Sequence, residues 1–188
     1  MKTYLLLPLL MFGLYAATPA VYAKSKKAKT AATEKKKLSP VGKAVKSMKF
    51  LTSKKANPNA KFYIYLQTAG WCGPCNQEMP SVVKEYAEME ASGQVELILL
   101  SADKNEADAV AFLKKYNADF PIVMSSKEVN RKYVLADEAA KLPGAEVSMK
   151  VPFASIVDDT GKVLQPNQNA SLVIPKWREI TGVTATAN

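Results

Sequence analysis

Histidine is absent from this sequence of 188 residues, and cysteine occurs only twice, at Cys72 and Cys75. A structural zinc site takes four Cys or His ligands, so two cysteines alone cannot complete one. The absence of histidine also excludes a Cys–His or Ser–His–Asp catalytic arrangement and a haem held by a protein histidine. There is no glycine-rich phosphate loop either. We therefore expect no bound metal and no cofactor.

Acidic residues are nearly absent from the segment near the N-terminus. Residues 24–61 hold thirteen lysines and one acid, Glu34, whereas residues 62–188 hold twelve Lys or Arg and sixteen acids. The net charge of +9 therefore belongs to the N-terminal segment. Residues 24–39 have too few apolar side chains to form a core, so we expect a disordered linker there. A solvated spacer and adhesion to an anionic envelope surface both remain open. No aromatic residue accompanies these lysines, so we expect no nucleic-acid partner.

The first 23 residues have the pattern of a signal peptide. Lys2 precedes the apolar run YLLLPLLMFGLYAA, which proline and glycine interrupt and which is too short for a membrane span. VYA at 21–23 supplies the small or modest residues of a cleavage site. We predict a signal peptide over 1–23 and a folded domain over 40–188, with an uncleaved anchor as the alternative. Export to the periplasm or cell envelope would allow the cysteine pair to form a disulfide.

Helical and extended patterns alternate along the rest of the chain. Nearly continuous apolar runs indicate buried strands, apolar residues at helical spacing indicate helices, and DDTG indicates a hairpin turn. We predict strands over 61–69, 94–103, 120–125, 151–159 and 162–165, and helices over 41–51, 76–93, 105–118, 126–140 and 174–182. Alternation first and a hairpin last predict an α/β domain with a mixed sheet.

The two cysteines fall in WCGPC, where a predicted strand gives way to a predicted helix. A helix that starts at Cys72 or Gly73 presents free backbone N–H groups to the first cysteine, and these stabilise its thiolate. Pro74 is tolerated in a first helical turn, and Cys75 lies one turn on, close enough for a disulfide. We assign Cys72 as the nucleophile and Cys75 as the resolving thiol of disulfide exchange. A permanent structural disulfide is the alternative, although so small a loop constrains the unfolded chain very little.

WCGPC, with Pro80 five residues after Cys75, resembles the thioredoxin superfamily. KVPFASIVDDTGKVL resembles the cis-proline loop and terminal hairpin of that family, which nominates Pro152 with Val151 before it. The resemblance implies a thioredoxin-like three-layer α/β/α fold with a mixed central sheet and a terminal β-hairpin. It also implies five substrate-binding residues, namely Trp71, Gly73, Pro74, Val151 and Pro152.

The stretch CGPCNQEMP narrows the resemblance to exported TlpA/ResA-like thiol reductases, over about residues 60–182. Cytosolic thioredoxins carry a buried aspartate six residues before the first cysteine, and Leu66 occupies that position here. Glu78 is our candidate catalytic substitute, a carboxyl that relays a proton to or from Cys75. The alternative is that Glu78 only provides favourable charge near the helix N-terminus. Gln67 and Asp103 are further candidates to line the site.

The resemblance implies a thiol:disulfide oxidoreductase of the cell envelope that reduces protein disulfides. Gly-Pro between the cysteines resembles reducing thioredoxins, and the motif lacks the cationic histidine that would make the pair more oxidising. An exported reductase needs electrons, so we expect a membrane-bound thiol donor as a partner besides the protein substrates. The alternatives are an oxidising or isomerising thioredoxin-like protein, a peroxiredoxin-type peroxidase and a non-catalytic binding module.

Overall fold

The structure is a computed structural model that describes residues 37–125 and 150–184. The predicted signal peptide over 1–23, residues 24–36 of the predicted linker and the predicted helix over 126–140 lie outside the described residues. Within the described ranges, none of the helices has both the length and the apolar character needed to cross a membrane.

The described residues form a five-stranded mixed sheet with helices. The helices are α1 Pro40–Lys46, α2 Gly73–Ser92, α3 Glu106–Lys115, α4 Ala170–Val173 and α5 Trp177–Thr181, with a 3-10 turn at Ile174–Lys176. The strands are β1 Phe62–Thr68, β2 Val95–Ser101, β3 Ile122–Met124, β4 Phe153–Asp158 and β5 Val163–Asn169. The sheet order is β3-β2-β1-β4-β5. The β1–β2 and β2–β3 pairs are parallel, and the β1–β4 and β4–β5 pairs are antiparallel. The predicted α/β class and terminal hairpin are confirmed.

The two faces of the sheet carry separate hydrophobic clusters, because successive side chains of a strand point to opposite faces. Ile64 and Leu66 of β1 belong to the cluster that includes residues of α2, α3, α4 and α5. Tyr63 and Tyr65 belong to the other cluster, together with Val41 and Val45 of α1. Helices therefore cover both faces, which is the predicted three-layer arrangement.

Two elements near the C-terminus differ from the sequence prediction. β5 extends to Asn169, beyond the predicted residue 165, although it contains Pro166. It is an edge strand, so a residue without an N–H group is tolerated there. The predicted closing helix over 174–182 is instead divided into the 3-10 turn and α5. Pro175 lies in the first turn, where a missing N–H is tolerated, and the chain has 3-10 geometry there before α5 begins at Trp177.

The first helix is shorter than the predicted range 41–51. α1 is capped by Ser39, whose hydroxyl accepts from the Gly42 N–H at 3.0 Å, and it ends at Lys46. The chain then runs to the edge of the sheet, where the Leu51 N–H donates to the Ile122 carbonyl at 2.9 Å. This contact covers part of the exposed edge of β3.

Candidate active site

The two cysteines lie at the N-terminus of α2, immediately after the central strand. Cys72 is the N-cap residue, in an extended conformation with φ −85° and ψ 114°. A disulfide joins Cys72 to Cys75, and the Cys75 N–H donates to the Cys72 sulfur at 3.1 Å. Pro74 lies in the first turn, as predicted. A backbone donor and the positive end of a 20-residue helix thus point at the first sulfur, which favours its thiolate after reduction.

The two cysteines differ in their access to solvent. Cys72 is 5% exposed and Cys75 is 1% exposed. Gly73 and Pro74 are exposed, and Trp71 is 65% exposed beside them. Cys72 is therefore the less covered of the two cysteines, and its role as the nucleophile stays a prediction.

The cis-proline loop lies at the same end of the sheet as the cysteines. Gln67, near the end of β1, pairs with Phe153 at the start of the antiparallel strand β4. The preceding Val151–Pro152 peptide bond is cis, as the resemblance implies. The Pro152 carbonyl accepts from the Ala170 N–H at 3.1 Å, and Val151 packs against the cluster that contains both cysteines. The five substrate-binding candidates thus lie at one end of the sheet.

The carboxyl candidate Glu78 lies one helical turn beyond Cys75 on α2. Residues three apart on a helix are neighbours on its surface. Glu78 is half-buried, and this burial raises the pKa of its carboxyl. Leu66 is fully buried in the cluster that contains both cysteines, so the position of the usual aspartate is apolar here. A carboxyl for this site therefore does not come from that position of β1.

The further candidates Gln67 and Asp103 differ in their position relative to the cysteines. Gln67 is buried, but it follows the alternation of Tyr63 and Tyr65 and faces the sheet surface opposite the cysteines, so its prediction is wrong. Asp103 is buried beside residues 70–75, which we call the active-site segment. Its carboxylate accepts from the Gly70 N–H and from the Ser101 hydroxyl, both at 2.9 Å.

A cavity of about 460 Å³ lies between the active-site segment and α3. Its lining includes Gly70, Trp71, Asp103, Lys104, Phe112 and Lys115. The indole N–H of Trp71 donates to the Ala102 carbonyl at 3.2 Å, which fixes the ring at the rim. The segment before Cys72 is therefore held from the β2–α3 connection as well as from β1.

Asn76 was not among the residues predicted from the sequence. Its side-chain N–H groups donate to the carbonyls of Gly70 at 2.9 Å and Cys72 at 2.8 Å. Its side-chain oxygen accepts from Lys115 Nζ at 2.6 Å and from the Tyr116 hydroxyl at 2.8 Å. These partners are separated from Asn76 by 39 and 40 residues, and no local sequence pattern marks such a contact.

Two bacterial proteins are similar to part of this chain. It is 30% identical over 95 residues to the thiol-disulfide oxidoreductase ResA of Bacillus cereus, covering 50% of this chain and 47% of that protein. It is 36% identical over 98 residues to the thioredoxin-like protein YneN of Bacillus subtilis, covering 50% and 49%. The chain spans about half the length of the curated relatives it matches.

Fold and family are shown by two further similarities. The structure is similar to a thiol:disulfide interchange protein of the thioredoxin family from Chlorobium tepidum TLS, with a TM-score of 0.50 and 20% identity. That similarity covers 65% of this chain and 78% of the other, and it shows a thioredoxin-like fold. The sequence model of the AhpC/TSA family matches residues 42–165. The chain, with its cysteine pair at the start of a long helix, therefore belongs to the AhpC/TSA family.

Proposed function

We propose that this protein is a thiol:disulfide oxidoreductase of the cell envelope that reduces disulfides in proteins. The observation that carries the proposal is the Cys72–Cys75 pair, with the Cys75 N–H on the Cys72 sulfur at the N-terminus of α2. A disulfide that closes so small a loop stabilises a fold very little, so a structural role does not account for the pair. Thiol–disulfide exchange does account for it. The name of the relative from Bacillus cereus, a thiol-disulfide oxidoreductase, supports the exchange activity.

The proposed reaction has two exchange steps. The Cys72 thiolate attacks one sulfur of the substrate disulfide, which forms a mixed disulfide and releases the other substrate sulfur as a thiolate. The Cys75 thiol then loses its proton and attacks the Cys72 sulfur. This step forms the Cys72–Cys75 disulfide and releases the second substrate thiolate, so two electrons pass to the substrate. Trp71, Gly73, Pro74, Val151 and Pro152 form the surface that receives the substrate chain.

Glu78 takes the proton of Cys75 in this proposal. Burial raises the pKa of its carboxyl, which brings that pKa closer to the pH at which a thiol loses a proton. The carboxylate must be ionised to act as a base, so resolution slows as the pH falls through the raised pKa. Glu78→Gln therefore lowers turnover by roughly a hundredfold or more and removes this acid limb from the pH profile.

In this proposal a membrane-bound thiol donor regenerates the reduced pair, and the positive charge of the lysine-rich residues 24–39 favours an anionic envelope surface as a partner. The apolar run near the N-terminus and the VYA site support export. Fractionation of cells and N-terminal sequencing test this part, with a mature chain that starts at Lys24 as the expected result. A full-length chain in the cytosol would contradict it.

Insulin reduction with a recycling dithiol tests the activity. We expect turnover by the wild type, none by Cys72→Ser, and a trapped mixed disulfide with Cys75→Ser. Glu90→Gln, which removes a carboxyl from the far end of α2, is the matched control for Glu78→Gln and keeps wild-type turnover. The reduction potential tests the direction: about −270 mV supports a reductase, whereas about −120 mV indicates an oxidant.

Two outcomes would replace the proposal. A wild-type protein without exchange activity would favour a binding module, and rapid peroxide turnover would favour a peroxidase of the peroxiredoxin type. Peroxidases of that type place an arginine near the reactive cysteine. Arg178, the arginine among the described residues, stacks on Trp177 at 4.4 Å and pairs with Glu85 and Glu88, so it does not supply this group. Arg131 lies outside the described residues.

A further inference from the structure

We propose that Asn76, Lys115 and Tyr116 form a positioning bridge that attaches the active-site segment to α3 and stabilises the Cys72 thiolate. The bridge consists of the four hydrogen bonds of the Asn76 amide. The inference rests on the proposed function, because it concerns how the dithiol of that same site is set. Asn76, Lys115 and Tyr116 do not touch the substrate in this proposal, and they act through the backbone and charge around Cys72.

The Asn76 side chain is used to its full hydrogen-bonding capacity. An amide has two N–H donors and an oxygen with two lone pairs. Both donors are directed at backbone carbonyls of the active-site segment, and both lone pairs accept from the end of α3. The network also fixes which atom is nitrogen, because a flipped amide would present its oxygen to two carbonyls. The side chain therefore has one orientation and links two elements.

The bridge acts on Cys72 through its carbonyl group. That carbonyl accepts from the Asn76 side chain at 2.8 Å and from the Asn76 backbone N–H at 3.1 Å. Two donors on one oxygen fix the peptide plane that follows Cys72. The orientation of this plane helps to keep the Cys75 N–H directed at the Cys72 sulfur, at 3.1 Å. After reduction, that N–H is a preorganised donor to the thiolate.

Lys115 adds a positive charge to this arrangement. Its ammonium lies two hydrogen bonds away from the peptide group of Cys72, with the Asn76 amide between them. A hydrogen bond from a charged donor polarises the amide and strengthens the bonds that its N–H groups donate. Other charged groups near the segment include Glu78 on α2, Asp103, Lys104 and Asp108 beside the cavity, and Lys150 before the cis-proline loop. These groups are unchanged when Lys115 is substituted.

Packing contacts outside the bridge hold α3 in place, so the bridge can anchor the active-site segment to this helix. A side chain at Gly70 would lie 3.3 Å from Cβ of Phe112, so the segment and α3 are in close contact. The rings of Phe112 and Tyr116 pack edge to face at 5.5 Å. The Tyr116 hydroxyl also lies 3.0 Å from the backbone carbonyl of Asn76. Phe112 and Leu113 of α3 are also buried in the core, so Asn76 is attached to an element that is held independently of the bridge.

Alkylation of the reduced full chain by iodoacetamide as a function of pH tests the bridge. Lys115→Met and Asn76→Ala should each raise the pH midpoint of Cys72 alkylation by about 0.5 to 1 unit. Lys115→Arg keeps the charge and should restore the wild-type midpoint. Lys114→Met is the matched control, because it removes the same charge from an exposed neighbour on α3. The midpoint of the control should equal that of the wild type.

The equilibrium with glutathione provides a second readout that a purely structural role would not move. Loss of thiolate stabilisation disfavours the reduced pair by about three- to tenfold, which lowers the reduction potential by about 15 to 30 mV. Equal midpoints in Lys115→Met and the wild type, or equal shifts in Lys115→Met and Lys114→Met, would overturn the inference. Lys115 is exposed, so its variants test the bridge even if Asn76→Ala fails to fold. A wild type without insulin reduction would instead refute the proposed function.

Discussion

Glu96, at the end of the sheet opposite the cysteines, makes the stability of this protein depend on pH. Only 7% of Glu96 is exposed, and burial raises the pKa of its carboxyl to about 7. The carboxyl accepts from the Asn57 N–H at 2.6 Å and from the Tyr86 hydroxyl at 3.5 Å. These bonds favour the ionised form, as does the charge of Lys54, but burial outweighs them.

The sign follows from proton binding in the two states. Between pH 4.5 and 7 the folded protein keeps the Glu96 proton, whereas the unfolded chain loses it. Stability from this group is therefore fully present below the unfolded value and is lost as the pH rises through the folded value. With these two pKa values, the free energy of unfolding falls by about 2 to 3 kcal/mol between pH 5 and pH 8. Glu96→Gln stays neutral, keeps an acceptor for Asn57 and removes this fall.

Urea unfolding of the disulfide-bonded protein at pH 5 and pH 8 measures the effect. The difference in stability between Glu96→Gln and the wild type should increase by about 2 to 3 kcal/mol in favour of the variant over this range. Glu106→Gln removes a carboxyl from an exposed position and should leave the pH dependence unchanged. If Glu96→Gln and the wild type lose stability in parallel, the buried carboxyl is already ionised at pH 5 and the reasoning is refuted.

Two packing predictions concern helix contacts away from the cysteines. A Cβ added at Gly42 would meet the Pro58 carbonyl oxygen at 2.1 Å, so Gly42→Ala should cost about 2 to 3 kcal/mol, and an unchanged urea midpoint would contradict the contact. Trp177→Phe removes the indole hydrogen bond to Glu85 at 2.8 Å and should cost about 1 to 2 kcal/mol in the same assay, with Arg178 still paired to Glu85. A variant as stable as the wild type would show that this bond contributes nothing.

The parts of the fold that follow from local physics could be predicted from the sequence. β1 and β2 are buried along nearly their whole length, and their continuous apolar runs indicated this. The elements that differ depend on position within the sheet. Pro166 argues against a strand unless the strand lies at an edge, and edge position is a property of the whole fold. The 3-10 turn at Ile174–Lys176 likewise depends on how the C-terminal segment packs, which the local sequence does not show.

The candidate site also has one part that the sequence predicts and another part that it does not predict. Cys72, Pro74 and Cys75 lie within one helical turn, so spacing alone predicts their geometry. The Asn76 contacts reach 39 and 40 residues along the chain, and no periodicity in the sequence brings Lys115 and Tyr116 to the active-site segment. Prediction from sequence therefore found the disulfide-bonded cysteines and missed Asn76, whose partners are distant along the chain.

Leu66 and Gln67 show why β1 does not supply the carboxyl that we propose for this site. In a strand that is apolar throughout, the sequence does not say which residues face which side of the sheet. The structure directs Leu66 towards the cysteines, whereas Gln67 faces the other side with Tyr63 and Tyr65. A polar residue at position 67 therefore cannot replace an acid at position 66. Glu78 lies one turn from Cys75 on α2 with its pKa raised by burial, so the proton transfer that we propose assigns this role to the helix and not to the strand.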